Sequence, residues 1–177
     1  MILISHRGNL LGVNPEKENN PEYCQEAIDE NYNVEIDVRW LPKRMGNDTW
    51  WTGHDSPKYR VTEDFLKNSK VWCHAKDIIT LSKLLDLGAH CFWHDRDKAT
   101  LTSKGYIWTA PLEELTQSSI CVLPERQRDI DKINNFIKKE IWLLSCTYKS
   151  VDMLSFVIDR TDILIIICLL YTSDAAD

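Results

Sequence analysis

The sequence predicts an α/β fold, a mainly parallel sheet covered by helices and either closed into a barrel or left open and doubly wound. Three observations lead there. Short apolar runs alternate with helix-length amphipathic segments through nearly all of the 177 residues. The helical segments carry start and stop signals, such as Pro21 at the head of one and Gly88 closing another. No linker or low-complexity stretch breaks the rhythm, and the length suits one domain with a substantial core.

In order, "ILIS" opens as a strand and "PEYCQEAIDEN" follows as a helix. "NVEIDVRW" is the next strand, then a turn-rich "LPKRMGND" and a short strand in "WWTGHD". "TEDFLKN" makes a small helix, "VWCHA" a strand, "IITLSKLLDLG" a helix and "AHCFWH" a strand. "TLTSKGYIWTAP" reads as a hairpin or broken strand pair, and "SICVLPE" as a strand. The remainder predicts a helix over 129–140, a strand over 141–146, a helix over 150–160 and a last strand over 162–167.

Composition narrows the function. The formal charge of −6 argues against a general nucleic-acid-binding face, so no nucleic-acid partner is expected. No apolar run reaches the roughly 18 residues of a membrane span; the longest, "ILIIICLL", reads as a buried strand. Six cysteines form no Cys-x-x-Cys pair and several sit in apolar strand-like runs, which favours a reduced, cytoplasmic setting. Seven tryptophans could wall a ligand pocket or fill the core. No Gly-x-Gly-x-x-Gly or phosphate-binding loop follows any strand.

The final ten residues, "CLLYTSDAAD", resemble the in-frame translation of a transposon-type sequencing adapter. This divides the chain into a domain over 1–167 and a non-native tail over 168–177, and it predicts a natural chain that continues past Ile167. Sequencing the source DNA across that codon checks it.

In parallel α/β folds the carboxyl ends of the strands converge on the functional face. Those positions here are rich in chemistry: His6 and Arg7, Glu35 and Asp37, His54 and Asp55, His74 and Lys76, His94 and Asp95. Four of the five histidines fall at strand exits, while His90, at a strand start, reads as structural. Glu35 and Asp37 are two apart and share one side of their strand, leaving Val34, Ile36 and Val38 to face the helices. Two carboxylates on an interior face repel one another unless a cation lies between them, and an all-oxygen ligand set suits Mg2+ or Ca2+. The alternative is an edge strand whose acids stand in water.

"ISHRGN", "ENNPEYCQEAI", "EIDVRW" and "GHD", in this order and spacing, closely resemble the glycerophosphodiester phosphodiesterase family of phospholipase-C-like phosphodiesterases. The usual pattern is His-Arg-Gly, Glu-Asn-Thr, Glu-x-Asp and His-Asp; the likeness is tight over residues 4–55, extends through "HAK" to 76, and is looser in a short, tryptophan-rich remainder. The resemblance implies a small TIM-type (β/α) barrel, and the adapter-like tail implies that it is truncated at its carboxyl terminus. The resemblance also implies a small-molecule glycerophosphodiester substrate and a divalent metal cation, Mg2+ or Ca2+, as cofactor. It casts His6 and His54 as paired general acid and base, Arg7 and Lys76 as phosphate-binding groups, and Glu35, Asp37 and Glu18 as metal ligands. His74 stands where most members carry a metal-binding glutamate. It can ligate a metal through a neutral nitrogen, touch phosphate, or stand solvated. Asn20 replaces the usual threonine.

His94 and Trp108 are candidate pocket residues, and Asp55 is placed to orient His54. A zinc site from Cys73, His74, Cys91 and His94 is disfavoured, because Cys73 faces away from His74 by strand alternation. The expected reaction is metal-dependent hydrolysis to glycerol 3-phosphate and an alcohol. Its rivals are a lyase forming a cyclic phosphate and a catalytically silent phosphate-binding protein.

Overall fold

The computed structural model describes residues 2–42 and 49–123, and the backbone of 142–145. The elements are β1 (Leu3–His6), α1 (Pro21–Asp29), β2 (Asn33–Leu41), β3 (Thr49–Thr52), β4 (Tyr59–Val61), α2 (Glu63–Leu66), β5 (Val71–Ala75), α3 (Ile78–Leu87), β6 (Cys91–Phe92), β7 (Ala99–Leu101), β8 (Ile107–Thr109), β9 (Ser119–Cys121) and β10 (Trp142–Ser145). The expected helix over 150–160 and strand over 162–167 lie outside the described residues, as does the helix over 129–140.

The helices begin and end where side chains can satisfy their free backbone groups. Asn20 caps α1 by accepting from Glu22 N–H, with Pro21 at its first turn. Asp77 accepts from Thr80 N–H at the head of α3, and Gly88, at φ 75°, returns its N–H to the last turn.

Among the described residues ten strands form one sheet. Its parallel part runs β6-β5-β2-β1-β10-β9-β8. The strands β3 and β4 extend β2 antiparallel, and β7 pairs antiparallel with β8. The connections into these three ladders are too short for a parallel crossover, which needs a dozen or more residues. The β7–β8 pair is the hairpin option read in "TLTSKGYIWTAP"; the sequence pattern does not show the reversal at β3, nor the strand β4.

The sheet is curled. Phe92 of β6 stacks on Trp108 of β8 with ring centroids 4.3 Å apart, yet six ladders separate those strands. At about 4.8 Å per ladder a flat sheet would hold them nearly 30 Å apart. Ser103, just past β7, donates its N–H to Cys91 C=O across the same gap at 2.8 Å. Among the described residues no strand ladder closes the circle.

Alternation sorts side chains between two cores. On the convex face, Val34, Ile36 and Val38 of β2 and Val71, Cys73 and Ala75 of β5 pack beneath the helices. The concave face holds a smaller cluster of Ile4, Trp72, Phe92, Trp108 and Ile120, drawn from five strands. Burying each large side chain contributes roughly 1.5–3 kcal/mol. Cys24, Cys73, Cys91 and Cys121 are free and buried, and Cys73 and Cys91 are register partners on neighbouring strands under the helix layer.

His90 closes the amino-terminal end of the concave face. Its ring lies 3.9 Å from that of Trp72 and pairs with Thr102 Oγ1 at 2.9 Å. Burial, aided by Lys104, lowers its pKa to about 4. The unfolded chain therefore takes a proton near pH 6.5 that the folded chain refuses until about pH 4, and stability falls as pH drops through that window. Between pH 7.5 and 5.0 the wild type should lose about 2 kcal/mol more unfolding free energy than His90→Gln, measured by urea denaturation. Equal losses would show that His90 titrates normally.

Candidate active site

The site is built at the carboxyl ends of β1, β2 and β5. In-register pairing sets His6 beside Glu35 and Asp37 beside His74. Side chains of paired residues share a face, so all four point into the concave side above the apolar cluster.

The chain leaves β1 through two left-handed residues, Arg7 at φ 58° and Gly8 at φ 86°. Gly8 is required twice over. Its φ suits glycine, and a Cβ there would sit 3.0 Å from Cys24 Sγ and 3.2 Å from Cys24 Cα on α1. This turn brings Arg7 N–H onto Glu35 C=O at 2.8 Å and folds the guanidinium back over the site.

The strand β2 is long enough to serve three neighbours. One edge pairs with β5 as far as Val38, so β1 and β3 must share the other. The handover leaves the Asp37 N–H without a strand partner, and Asn19 fills the gap. Its Oδ1 accepts from Asp37 N–H at 2.8 Å, and its Nδ2 donates to Asp37 Oδ2 at 3.0 Å. Asn19 itself sits at φ 65°, held by its N–H on Arg7 C=O and by Thr52 Oγ1 on its own C=O. The only advance signal for Asn19 was the asparagine in its motif; the gap it fills is invisible in sequence.

Asp37 is fully buried and Glu35 is 1% exposed. Asp37 Oδ1 lies 3.0 Å from Lys76 Nζ and 3.2 Å from His74 Nδ1. Arg7 Nε is 3.0 Å from Asp37 Oδ2 but too oblique for a hydrogen bond, so this contact is an ion pair. Arg7 Nη1 donates to Glu18 Oε2 at 3.0 Å, and Asn9 Nδ2 to Glu18 Oε1 at 2.8 Å. Burial opposes the Asp37 charge, but His74, Arg7 and Lys76 outweigh it and hold the carboxyl well below its usual range. Burial likewise opposes charge on His74, yet its contacts with Asp37 and Glu35 raise it to about 9. Three carboxylates thus face three cations, and a buried cluster of this kind is tolerable only when so balanced.

His6 Nε2 lies 3.7 Å from Glu35 Oε2, and burial lowers the pKa of His6 despite the carboxylates around it. Glu35 Oε2 is buried with no hydrogen-bond donor. Glu35, Asp37 and His74 each offer a ligand atom, and these atoms lie within 4.8 Å of one another. The residues present therefore fit a cation at Glu35, Asp37 and His74. Glu18 stands apart from that group, engaged by Arg7 and Asn9.

The other expected residues distribute around this centre. His54 follows Gly53, whose N–H donates to Asp37 C=O at 3.0 Å. Its half-exposed ring pairs with Asp55 at 2.6 Å, and Asp55 itself is almost fully exposed. His94 stacks on His74 at 4.6 Å, and burial lowers its pKa. Trp108 is 4% exposed and belongs to the apolar cluster below. Cys73 and Cys91 lie in the helix-side core, away from His74 and His94, so these four do not gather into a zinc site.

Replacing Asn19 by Ala removes two buried hydrogen bonds and strands the Asp37 N–H, costing about 3 kcal/mol by urea denaturation. Asn19→Gly, which relieves the left-handed backbone, should still lose at least about 2 kcal/mol; wild-type stability there would assign the role of Asn19 to conformation alone. Comparison of the chain with protein-family models, curated proteins and solved structures returns no match.

Proposed function

We propose that the chain is a metal-dependent phosphodiester hydrolase, cleaving glycerophosphodiesters to glycerol 3-phosphate and an alcohol. The observation that carries this reading is the buried Glu35–Asp37 pair, flanked at strand ends by two fixed cations, Arg7 and Lys76, and by His6. That combination suits a phosphate group: cations for its equatorial oxygens, a carboxylate pair for a metal, and a histidine for proton transfer. A bound dication supplies Lewis-acid stabilisation of the phosphoryl charge.

The chain's own residues divide the remaining work. Burial keeps His6 neutral near pH 7, the form a general base requires, so it takes the proton from the attacking oxygen. His54, aligned by Asp55, gives a proton to the leaving alkoxide as its bond to phosphorus breaks. Arg7 and Lys76, held in place by Asp37 and Glu18, present positive charge to the phosphate. Attack by water gives hydrolysis; attack by a neighbouring substrate hydroxyl gives a cyclic phosphate first.

The half-exposed ring of His54 motivates a second reading, a phosphate-binding protein without turnover. With glycerophosphocholine and added divalent cation, His6→Ala and His54→Ala should each lower kcat/KM by about 10²- to 10⁴-fold while leaving thermal unfolding near wild type. Binding without turnover in the wild type supports the silent binder. A cyclic phosphate that persists by phosphorus NMR assigns a lyase.

A further inference from the structure

We infer that His74 ligates the cation through Nδ1 and makes this centre select a first-row transition-metal dication, such as Mn2+, Co2+ or Zn2+, over Ca2+ and Mg2+. The binding itself is independent of the phosphodiesterase reading; only the use of the ion rests on it.

Orientation of the imidazole is the first argument. His74 Nε2 lies 3.3 Å from His94 C=O, and its Nδ1 faces Glu35 Oε1 at 3.5 Å and Asp37 Oδ1 at 3.2 Å. A proton on Nε2 is satisfied by that carbonyl, so a cation that displaces the Nδ1 proton from between the two carboxylates meets a lone pair already aimed at it. A carbonyl behind the ring is the usual device that fixes the tautomer of a ligating histidine. The ring is also clamped, parallel to Phe92 at 5.1 Å and to His94 at 4.6 Å, so it does not swing to present the other nitrogen.

Supply of oxygen is the second. Ca2+ takes six to eight oxygens, whereas Mg2+ keeps several waters and needs only one or two carboxylates. Oxygen supply therefore weighs against Ca2+, and the nitrogen donor against Mg2+. Asp37 Oδ2 is already occupied by Asn19 and Arg7, and both Glu18 oxygens by Arg7 and Asn9. What remains for a cation is Glu35, one shared oxygen of Asp37, and the His74 nitrogen. A mixed nitrogen and oxygen set with few carboxylates favours borderline transition ions. The orphaned, buried Glu35 Oε2 points independently to a missing positive partner.

The test uses the full chain stripped with a chelator and titrated calorimetrically with MnCl2, CoCl2, CaCl2 and MgCl2 at one pH. One Mn2+ or Co2+ should bind per chain, at least about tenfold more tightly than Ca2+ or Mg2+, with pulsed EPR of Mn2+ showing coupling to one nitrogen. His74→Glu should abolish the nitrogen coupling and invert the preference towards Ca2+. His74→Gln, which adds no charge, should lose the coupling and weaken Mn2+ binding. Comparable affinity for Ca2+, coupling that survives both variants, or no ion bound would each overturn the inference. Metal selectivity without phosphodiester turnover would uphold it and sink the phosphodiesterase reading, whereas turnover with Ca2+ bound as tightly as Mn2+ would do the reverse.

Discussion

The buried carboxylate of Asp37 is the constraint around which the site is organised. With no access to water, its charge survives only because Arg7, Lys76, His74 and Asn19 converge on two oxygens. Each of those partners is held by something else in turn: Arg7 by the left-handed turn after β1, His74 by its ring stack, Asn19 by the backbone of Arg7 and the hydroxyl of Thr52. The loop before α1, the end of β5 and the start of the β3–β4 hairpin are thus fixed relative to one another through the side chain and backbone of one residue. Such a network rigidifies a site when every member is satisfied. Glu35 Oε2, a buried carboxylate oxygen with no hydrogen-bond donor, marks where an outside charge belongs.

Curvature supplies the rest. Because the sheet wraps its concave face, the same alternation that buries Ile4, Trp72 and Phe92 sends His6, Asp37 and His74 to the level above. The aromatic layer excludes water from beneath the charges and raises the strength of every pairing among them. Strand parity therefore does two jobs in each strand, a dry residue at the amino-terminal end and a reactive one at the carboxyl end.

Much of this was legible in the residues. Two-residue spacing put Glu35 and Asp37 on one face and turned Cys73 away from His74, because the strand period leaves no freedom. Pro21 located the start of α1 and Gly88 the end of α3 for equally local reasons. What escaped was non-local. No pattern within "WWTGHDSPKYRV" announces that β3 runs antiparallel on half an edge vacated by β1, and so nothing flagged Asn19 as the plug in that ladder. Glu18 illustrates the opposite limit, since its place in the motif was clear, but its commitment to Arg7 and Asn9 depends on a turn visible only in three dimensions.

The cysteines packed beneath the helices carry a consequence of another kind. Burial pushes the thiols of Cys24, Cys73 and Cys91 above their ordinary range, so in the folded chain they are protonated and shielded from oxidants. Cys73 and Cys91 are also register partners on adjacent strands. Any opening that lifts the helix layer from β5 and β6 therefore bares two neighbouring thiols together. In an oxidising medium they can be captured as a disulfide before the helices return, which turns a reversible excursion into a chemical dead end. The durability of this fold is thereby tied to the redox poise of its surroundings as well as to its packing.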